Sequence, residues 1–279
     1  MSFTSYNFPA PAKLNLMLHV IARREDGYHA LETVFRLIDF GDTITISMRN
    51  DGAIERSSEL AGVLPDDDLV VRAARLLQQY SGITAGATLH VQKRIPLGGG
   101  LGGGSSDAAT VLMALNDLWG IGLSRQTLMQ LGCQLGADVP FFIFGRNAFA
   151  TGIGDELTAL TLPPYWYVVF HPGINVPTRE IFASPLLTYR LKPSKIALLE
   201  RREERRNDLQ SVVCNLYPAV GQLVDELSQY GFPLMTGSGS CVFLECETKY
   251  EAECVYKKLS TRYNGFVSQG LDKHPIDRD

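Results

Sequence analysis

Residues 95–109 read IPLGGGLGGGSSDAA, and the six glycines from Gly98 to Gly104 are interrupted only by Leu101. Glycine loses more backbone freedom on folding than other residues, so ordering six of them costs up to about 3–6 kcal/mol relative to alanine. A disordered linker would avoid that cost. The flanking sequence therefore decides between a linker and an ordered loop.

The flanks predict a strand before the glycines and a helix after them. Residues 87–95 (ATLHVQKRI) alternate apolar and polar side chains, as a half-buried strand does. After the run, residues 105–107 (SSD) offer N-cap side chains, and 108–119 (AATVLMALNDLW) repeat apolar residues at helical spacing until Gly120. The glycines thus join a strand to a helix N-terminus, which predicts an ordered loop inside a packed domain.

The composition is that of an ordinary globular protein: 279 residues, 45% hydrophobic, 20% charged, with a net charge of −4. This charge gives no general attraction to nucleic acid or to anionic membranes. Residues 1–11 lack the features of a signal peptide, and no apolar run approaches the roughly 20 residues that span a bilayer. The five cysteines form no CxxC pair, so neither a zinc site nor a disulfide framework is predicted. We expect a cytoplasmic protein without nucleic-acid or membrane partners; the sequence does not indicate its oligomeric state.

The first half of the chain predicts strands and helices around the glycine loop. Residues 8–22 predict a strand, and 31–48 predict two strands broken at Gly41-Asp42. A helix is predicted within 64–82, with acidic residues at its start and Gly82 at its end, and another within 123–136, capped by Ser124 and closed by Gly136. Residues 137–154 predict short strands or turns.

The second half begins after the proline pair at 163–164. It predicts a helix around 178–187, a longer helix around 211–230 interrupted near Pro218, and a helix over 249–262. A strand over 264–270 ends the pattern.

Three phosphate-binding interpretations of the glycine loop compete, because glycine amides followed by a helix N-terminus form an anion site. A P-loop requires a lysine after its last glycine, and here Ser105 stands in that position. A dinucleotide fingerprint is matched by Gly98, Gly100 and Gly103. That fold expects a fully apolar first strand and an acid after a second strand, whereas LHVQKR is half polar and Asp117 lies inside the helix.

The third interpretation rests on three segments that resemble the motifs of the GHMP kinases (galacto-, homoserine, mevalonate and phosphomevalonate kinases). Residues 96–109 are similar to the family pattern PxxxGLGSSAA, 11–20 (PAKLNLMLHV) to its first motif, and 236–243 (TGSGSCVF) to its third. Because the three motifs occur in the family's order and span nearly the whole chain, they indicate the family more specifically than the number of glycines does. The resemblance implies a two-lobe α+β GHMP kinase fold with its active site in the cleft between lobes 1–158 and 159–279.

Further segments resemble one branch of this family, whose members phosphorylate a diphosphocytidyl methylerythritol in the non-mevalonate isoprenoid pathway. These segments are 23–46 (RREDGYHALETVFRLIDFGDTITI), 135–142 (LGADVPFF) and 171–182 (HPGINVPTREIF). The resemblance implies transfer of phosphate from ATP, with Mg²⁺, to the substrate's 2-hydroxyl. A homoserine or mevalonate type of GHMP kinase is the alternative. Two further hypotheses are a catalytically inactive nucleotide-binding protein of the same fold and a dinucleotide-dependent oxidoreductase.

Lys13 and Asp138 occupy the positions of the family's catalytic pair. The resemblance implies that Asp138, expected to begin a strand, accepts the proton of the alcohol. Lys13 would favour the carboxylate form of Asp138 and stabilise charge on the attacking oxygen or on the γ-phosphate. From the residues alone, Asp138 is equally a turn-capping aspartate and Lys13 an ordinary surface lysine.

The resemblance also implies which residues bind ATP and the alcohol. The expected ATP-binding residues are Pro96, Leu97, Gly98, Gly99, Gly100, Leu101, Gly102, Gly103, Gly104, Ser105 and Ser106. The expected substrate-binding residues are Asn15, Tyr28, His29, Thr178, Phe182 and Gly237. No set of carboxylate ligands for Mg²⁺ is visible, so we expect the ion on the ATP phosphates, with Ser105 or Ser106 as candidate protein ligands.

The cytidine end is expected to use aromatic side chains. Tyr28 would stack on the base and His29 would hydrogen-bond its edge, while Thr178 and Phe182 would close the pocket from the second lobe. From the residues alone, Tyr28 and His29 could equally lie in a surface turn. Thr178 and Phe182 could equally belong to an ordinary helix start. Asp68 stands where relatives commonly carry asparagine, which leaves the detailed nucleotide contacts open.

Overall fold

The computed structural model describes residues 4–58, 63–189 and 205–277. The strands are β1 Ser5–Arg23, β2 His29–Arg49, β3 Ile54–Arg56, β4 Gly86–Gln92, β5 Ala148–Thr151, β6 Glu156–Ala159, β7 Trp166–His171, β8 Leu234–Met235, β9 Val242–Cys246 and β10 Asn264–Leu271. The helices are α1 Leu69–Ser81, α2 Gly103–Leu118, α3 Arg125–Cys133, α4 Val139–Phe144, α5 Thr178–Phe182, α6 Gln210–Leu216, α7 Pro218–Leu227 and α8 Lys249–Leu259, with a 3₁₀ turn at Pro65–Asp67.

One sheet runs through the described chain in the order β3-β4-β2-β10-β7-β9-β8. Strand β1 pairs antiparallel along β2, while β5 pairs with both β2 and β6. Helices α1 to α4 pack on the β2–β4 part of the sheet, and α5 to α8 pack on the β7–β9 part. A third apolar cluster lies where these parts meet and includes Leu14, Tyr167 and Phe243. This arrangement is the predicted α+β class; the lobe boundary near residue 158 stays a prediction.

The segment 31–48 belongs to one continuous strand, so the prediction of two strands broken at Gly41 is wrong. Strand β2 pairs with β1 on both sides of a register shift between Pro11 and Ala12. A Cβ atom at Gly41 would lie 2.3 Å from the carbonyl oxygen of Ala10. Gly41 therefore permits a close approach within a bulged strand instead of ending it.

Helix α4 lies where the sequence predicts short strands or turns. Its residues VPFFIF are buried almost throughout, so no alternation of polar and apolar residues marks it as a helix. Pro140 fits its first turn, and Gly145 ends it in the left-handed conformation.

The other predicted helices are confirmed with shifted ends. The predictions for 64–82, 123–136 and 249–262 correspond to α1, α3 and α8, and 211–230 is divided at Pro218 into α6 and α7. Helix α5 ends at Phe182, earlier than predicted. None of the helices within the described ranges combines the length and apolarity needed to cross a membrane.

Candidate active site

The glycine loop is held from behind through its carbonyl groups. The carbonyl oxygens of Gly98, Gly99, Gly100 and Leu101 accept hydrogen bonds from the Ser240 amide, the Cys241 amide, the Thr236 hydroxyl and the Lys13 amide, respectively, at 3.0–3.3 Å. Leu101 is buried in the apolar cluster between the two parts of the sheet. Among the described residues, the amides of 98–105 donate to no backbone carbonyl. The loop therefore has its acceptors occupied and its donors available for an anion.

Two glycines are required by the close packing of this loop. Gly100 has a φ of +75°, and a Cβ there would lie 2.0 Å from the carbonyl oxygen of Thr236. Gly102 has a φ of +74°, and its Cβ would lie 2.9 Å from the Phe142 ring and 3.2 Å from Cε of Lys13. The loop can touch both the third glycine segment and Lys13 because these positions lack side chains.

Helix α2 starts inside the glycine run, so the prediction that residues 105–107 cap it is wrong. Its N-cap is Gly102, which has no side chain to accept a hydrogen bond. Ser105 lines the cleft beside the first turn. Ser106 is fully buried and its hydroxyl donates to the Pro11 carbonyl at 2.6 Å, so its side chain does not reach the cleft. The structure thus separates the two serines that the sequence treats alike.

Lys13 and Asp138 meet in the cleft. Their Nζ and Oδ2 atoms are 3.4 Å apart; the side chain of Lys13 is 3% exposed and that of Asp138 is 33% exposed. Lys13 comes from β1, whereas Asp138 stands at the N-cap position of α4 and does not begin a strand, contrary to the prediction. Of the pair, the carboxylate is the more open to an incoming molecule.

Asn15 fixes the position of the lysine through a buried network. Its Oδ1 accepts a hydrogen bond from Lys13 Nζ at 2.6 Å, and its Nδ2 donates to the Thr33 hydroxyl at 2.8 Å. The Thr33 hydroxyl donates in turn to the Met17 carbonyl. Thr236 binds the Asn15 amide and Oδ1 from the second half of the chain. Sequence reasoning missed both threonines, although Thr236 opens the third quoted motif.

The far end of the cleft is lined by side chains from the two halves. Tyr28 is 59% exposed, while His29 is buried with its ring centroid 5.0 Å from that of Phe182. Tyr189, which sequence reasoning missed, stacks on His29 at 6.0 Å. Burial, aided by the positive charge of Arg23, lowers the pKa of His29 and keeps its imidazole neutral at pH 7.

The third glycine segment joins these two ends. The hydroxyls of Thr178 and Ser238 share a hydrogen bond of 2.7 Å, which connects α5 to that segment. Gly237 packs on the loop, where a Cβ would lie 3.0 Å from the Gly100 carbonyl oxygen. Both predicted residues therefore line the cleft, and Thr178 also begins a helix.

Behind the glycine loop lies a buried ion cluster that sequence reasoning missed. Lys93 forms ion pairs with Asp42 and with Asp107, the latter at 2.8 Å. Asp42 also accepts hydrogen bonds from the amides of Arg94 at 2.5 Å and Ile95 at 2.8 Å. Burial raises the pKa of Asp107 to about 7, and the positive charge of Lys93 opposes this shift.

Asp68 has a structural role in this fold. Its carboxylate caps α1 by accepting the Val70 amide at 2.9 Å and forms an ion pair with Arg56 at 2.5 Å. The next residue, Leu69, lines the cleft beside Gly104. The cap and the ion pair of Asp68 thus anchor this wall of the cleft.

All these parts surround one cleft of about 1150 Å³. Every residue in the predicted catalytic, ATP-binding and substrate-binding sets lines it except Ser106. Within the described ranges, no group of three or more His, Cys, Asp or Glu side chains could hold a metal ion.

Comparison with known proteins agrees with this geometry. Residues 68–146 match the family model for the GHMP kinases N terminal domain, and 194–265 match that for the GHMP kinases C terminal. The 4-diphosphocytidyl-2-C-methyl-D-erythritol kinase of Chromobacterium violaceum is 56% identical over 99% of this chain and 98% of its own.

Solved structures give the same grouping. A crystal structure of 4-(cytidine 5'-diphospho)-2C-methyl-D-erythritol kinase has a TM-score of 0.83 and 34% identity, covering 95% of this chain and 99% of that one. Homoserine kinase from Cytophaga hutchinsonii has a TM-score of 0.73 at 17% identity, covering 98% of each chain, and shares the fold.

The chain therefore belongs to the GHMP kinases, a family of ATP-dependent phosphotransferases. Within that family it belongs with the 4-diphosphocytidyl-2-C-methyl-D-erythritol kinases, which it resembles over nearly its full length.

Proposed function

We propose that this enzyme transfers the γ-phosphate of ATP to the 2-hydroxyl of 4-diphosphocytidyl-2-C-methyl-D-erythritol. The observation that carries the proposal is the 3.4 Å pair of Lys13 and Asp138 in a cleft that also contains the glycine loop and an aromatic end. The names of the full-length relatives supply the substrate.

Asp138 acts as the base in this proposal. Its partly exposed carboxylate accepts the proton of the hydroxyl, while the neighbouring Lys13 ammonium offsets charge that develops on the transferred group. Asn15 holds the lysine through its Oδ1 atom, so the cation needs little reorganisation during the reaction.

The glycine loop binds the triphosphate. Its free amides and the N-terminus of α2 favour an anion at this end of the cleft. Bound Mg²⁺ would offset charge on the ATP phosphates; Ser105, which lines the cleft, would be its protein ligand, whereas the Ser106 hydroxyl is engaged by the Pro11 carbonyl.

The cytidine part of the substrate occupies the far end, between Tyr28 and Phe182. His29 is neutral there and presents a hydrogen-bonding edge, which suits a base more than a small aliphatic alcohol. This end disfavours the alternative of a homoserine or mevalonate kinase, and one homoserine kinase and one mevalonate kinase of known structure match at 17% and 15% identity.

The test is a panel of alcohols assayed for ADP release with ATP and Mg²⁺. We expect turnover with the diphosphocytidyl substrate and phosphate on its 2-hydroxyl by NMR, but none with homoserine or mevalonate. Asp138→Asn serves as the control for background ATP hydrolysis. Phosphorylation of homoserine or mevalonate at a higher kcat/KM than the diphosphocytidyl substrate would overturn the proposal.

A further inference from the structure

The hydroxyl of Thr236 contacts two other parts of the candidate site. Its Oγ1 atom accepts a hydrogen bond from the backbone amide of Asn15 at 3.1 Å. The same atom lies 3.3 Å from Oδ1 of Asn15 and 3.2 Å from the Gly100 carbonyl oxygen. Thr236 is fully buried, so bulk water does not compete for these contacts. One hydroxyl therefore joins β1 and the glycine loop to the third glycine segment.

The side chain of Asn15 has one orientation that satisfies its neighbours. The Thr33 hydroxyl donates its single proton to the Met17 carbonyl at 2.6 Å, so its oxygen can only accept from Asn15. Asn15 therefore directs Nδ2 to Thr33 at 2.8 Å and Oδ1 to Lys13 Nζ at 2.6 Å. With the amide in this orientation, the position of the lysine depends on where Oδ1 is held.

The Thr236 hydroxyl acts on that oxygen and on the loop with a single proton. Oδ1 of Asn15 and the Gly100 carbonyl oxygen lie at nearly equal distances from Oγ1, and both can only accept, so they share the one hydrogen. The two backbones are also close, since a Cβ at Gly100 would lie 2.0 Å from the Thr236 carbonyl oxygen. A change in the position of the loop therefore reaches the residue that holds Asn15.

Loss of this hydroxyl would affect Asn15 more than the loop. The carbonyls of Gly98, Gly99 and Leu101 accept hydrogen bonds from backbone amides, which a side-chain substitution at Thr236 does not remove. Asn15 would lose the partner of its backbone amide and one of the donors to Oδ1. The loop thus keeps most of its support while the group that holds the lysine does not.

We propose that Thr236 is a positioning residue for Lys13, acting through Asn15 to keep the ammonium at a fixed place relative to the glycine loop. This inference rests on the proposed function, in which the loop binds the triphosphate and Asp138 accepts the proton. The ammonium offsets charge on the transferred group only from the correct position, and a displacement of about 1 Å can lower the rate by about 10²-fold. Thr236 therefore acts on the chemical step and has little effect on nucleotide binding.

Three substitutions separate the hydroxyl from the shape of the side chain. Thr236→Val keeps nearly the same shape and cannot form hydrogen bonds, whereas Thr236→Ser keeps the hydroxyl and loses a methyl group. Thr110→Val is the matched control. Thr110 is also fully buried, and its hydroxyl donates to the backbone carbonyl of Pro9. It lies outside the set of described residues that line the cleft.

The first measurement is the single-turnover rate of phosphoryl transfer, with whichever alcohol of the panel the wild type phosphorylates. Thr236→Val should lower this rate at least about tenfold, while Thr236→Ser and Thr110→Val should stay within about threefold of the wild type. A rate for Thr236→Val within about threefold of the wild type would overturn the proposal. So would a rate for Thr236→Ser as low as that of Thr236→Val, because the hydroxyl would then not be the cause.

Calorimetry with a non-hydrolysable ATP analogue and Mg²⁺ distinguishes positioning from structural damage. Thr236→Val should bind the analogue within about threefold of the wild type, because the backbone hydrogen bonds to the loop remain. The binding stoichiometry gives the folded fraction by which the rate is corrected. A loss of affinity as large as the loss of rate would indicate a merely structural role and contradict the proposal.

Thr33→Val reaches Asn15 from the other side and does not touch the loop. It frees the side-chain amide, so the rate should again fall while the affinity for the analogue is retained. If Thr236→Val is too unstable to assay, a wild-type rate for Thr33→Val overturns the proposal, because Lys13 would then not depend on how Asn15 is held.

The wild type itself separates this inference from the proposed function. If it phosphorylates none of the alcohols, the proposed function is wrong and the role of Thr236 falls with it. If it phosphorylates one of them and Thr236→Val does so at the same rate, the proposed function stands and the positioning role is wrong.

Discussion

The two ends of the cleft differ in whether backbone or side chains form the surface. At the end where we propose the triphosphate (the phosphate end), the backbone of the glycine loop is fixed by hydrogen bonds from both halves of the chain, and the half-buried Lys93 packs against it. At the end where we propose the cytidine (the cytidine end), the site consists of side chains, one of which, Tyr28, is mostly exposed. A binding surface made of backbone requires glycine at the positions where a side chain would clash. A binding surface made of side chains changes with the identity of each residue. The first suits a ligand group common to the family, and the second suits a group that distinguishes its members.

The largest effect is expected between the two ends, at the reacting centre. Asp138→Asn removes the proton acceptor while it preserves the shape of the side chain, and we expect kcat to fall about 10²–10⁴-fold. Binding of ATP should change little, because the loop amides and α2 are untouched. Single-turnover kinetics together with nucleotide calorimetry measure both quantities; a kcat within threefold of the wild type would remove Asp138 from the role of base.

A glycine substitution tests whether the phosphate end depends on backbone packing. Gly100→Ala introduces a Cβ 2.0 Å from the Thr236 carbonyl oxygen, so the loop must separate from the third glycine segment. Gly120→Ala is the matched control, because Gly120 also has a positive φ of +65° but no atom within 4 Å of its Cβ.

We expect both alanine variants to lose about 1–2 kcal/mol of unfolding free energy from the left-handed backbone. Only Gly100→Ala should also lose nucleotide affinity, by at least about tenfold, since only there does the loop move. Chemical denaturation and calorimetry measure the two effects. Equal nucleotide affinities in the two variants would show that the loop does not depend on this contact.

Removal of one side chain at the cytidine end should weaken binding of the diphosphocytidyl substrate and leave ATP binding nearly unchanged. Tyr28→Ala removes a stacking surface that is worth about 1–3 kcal/mol per base, so KM for the diphosphocytidyl substrate should rise at least about fivefold. KM for ATP should stay within twofold. Tyr250→Ala, which truncates an exposed tyrosine of α8, is the control. If both KM values rise together in Tyr28→Ala, the two ends are not separate sites.

The same contrast explains what the sequence predicts well and what it does not. The loop, its flanking strand and helix, and the pair Lys13 and Asp138 are marked by local patterns and by motifs of fixed order. Helix α4 is not, because burial on all sides removes the periodicity that distinguishes a helix from a strand. The start of α2 is misread because glycine can cap a helix through backbone geometry alone.

Tertiary contacts account for the other omissions. Asp42 and Lys93 are distant in sequence and meet because β2 pairs with β4. Thr33 reaches Asn15 only through the register of β2 against β1, which contains several shifts. No local pattern encodes such contacts, and every polar group that sequence reasoning missed around Lys13 is of this kind.

The smallest expected effect is the titration of the cytidine end. Burial lowers the pKa of His29 below its ordinary value of about 6.5, so on acidification the unfolded chain takes up this proton before the folded chain does. The unfolding free energy should therefore fall as the pH drops through and below about 6.5. His29→Gln retains a polar side chain that does not titrate, so the difference between wild type and variant isolates the histidine. Urea denaturation at several pH values measures it, and a difference that grows in the wild type's favour on acidification would show that His29 gains an acidic partner in the fold.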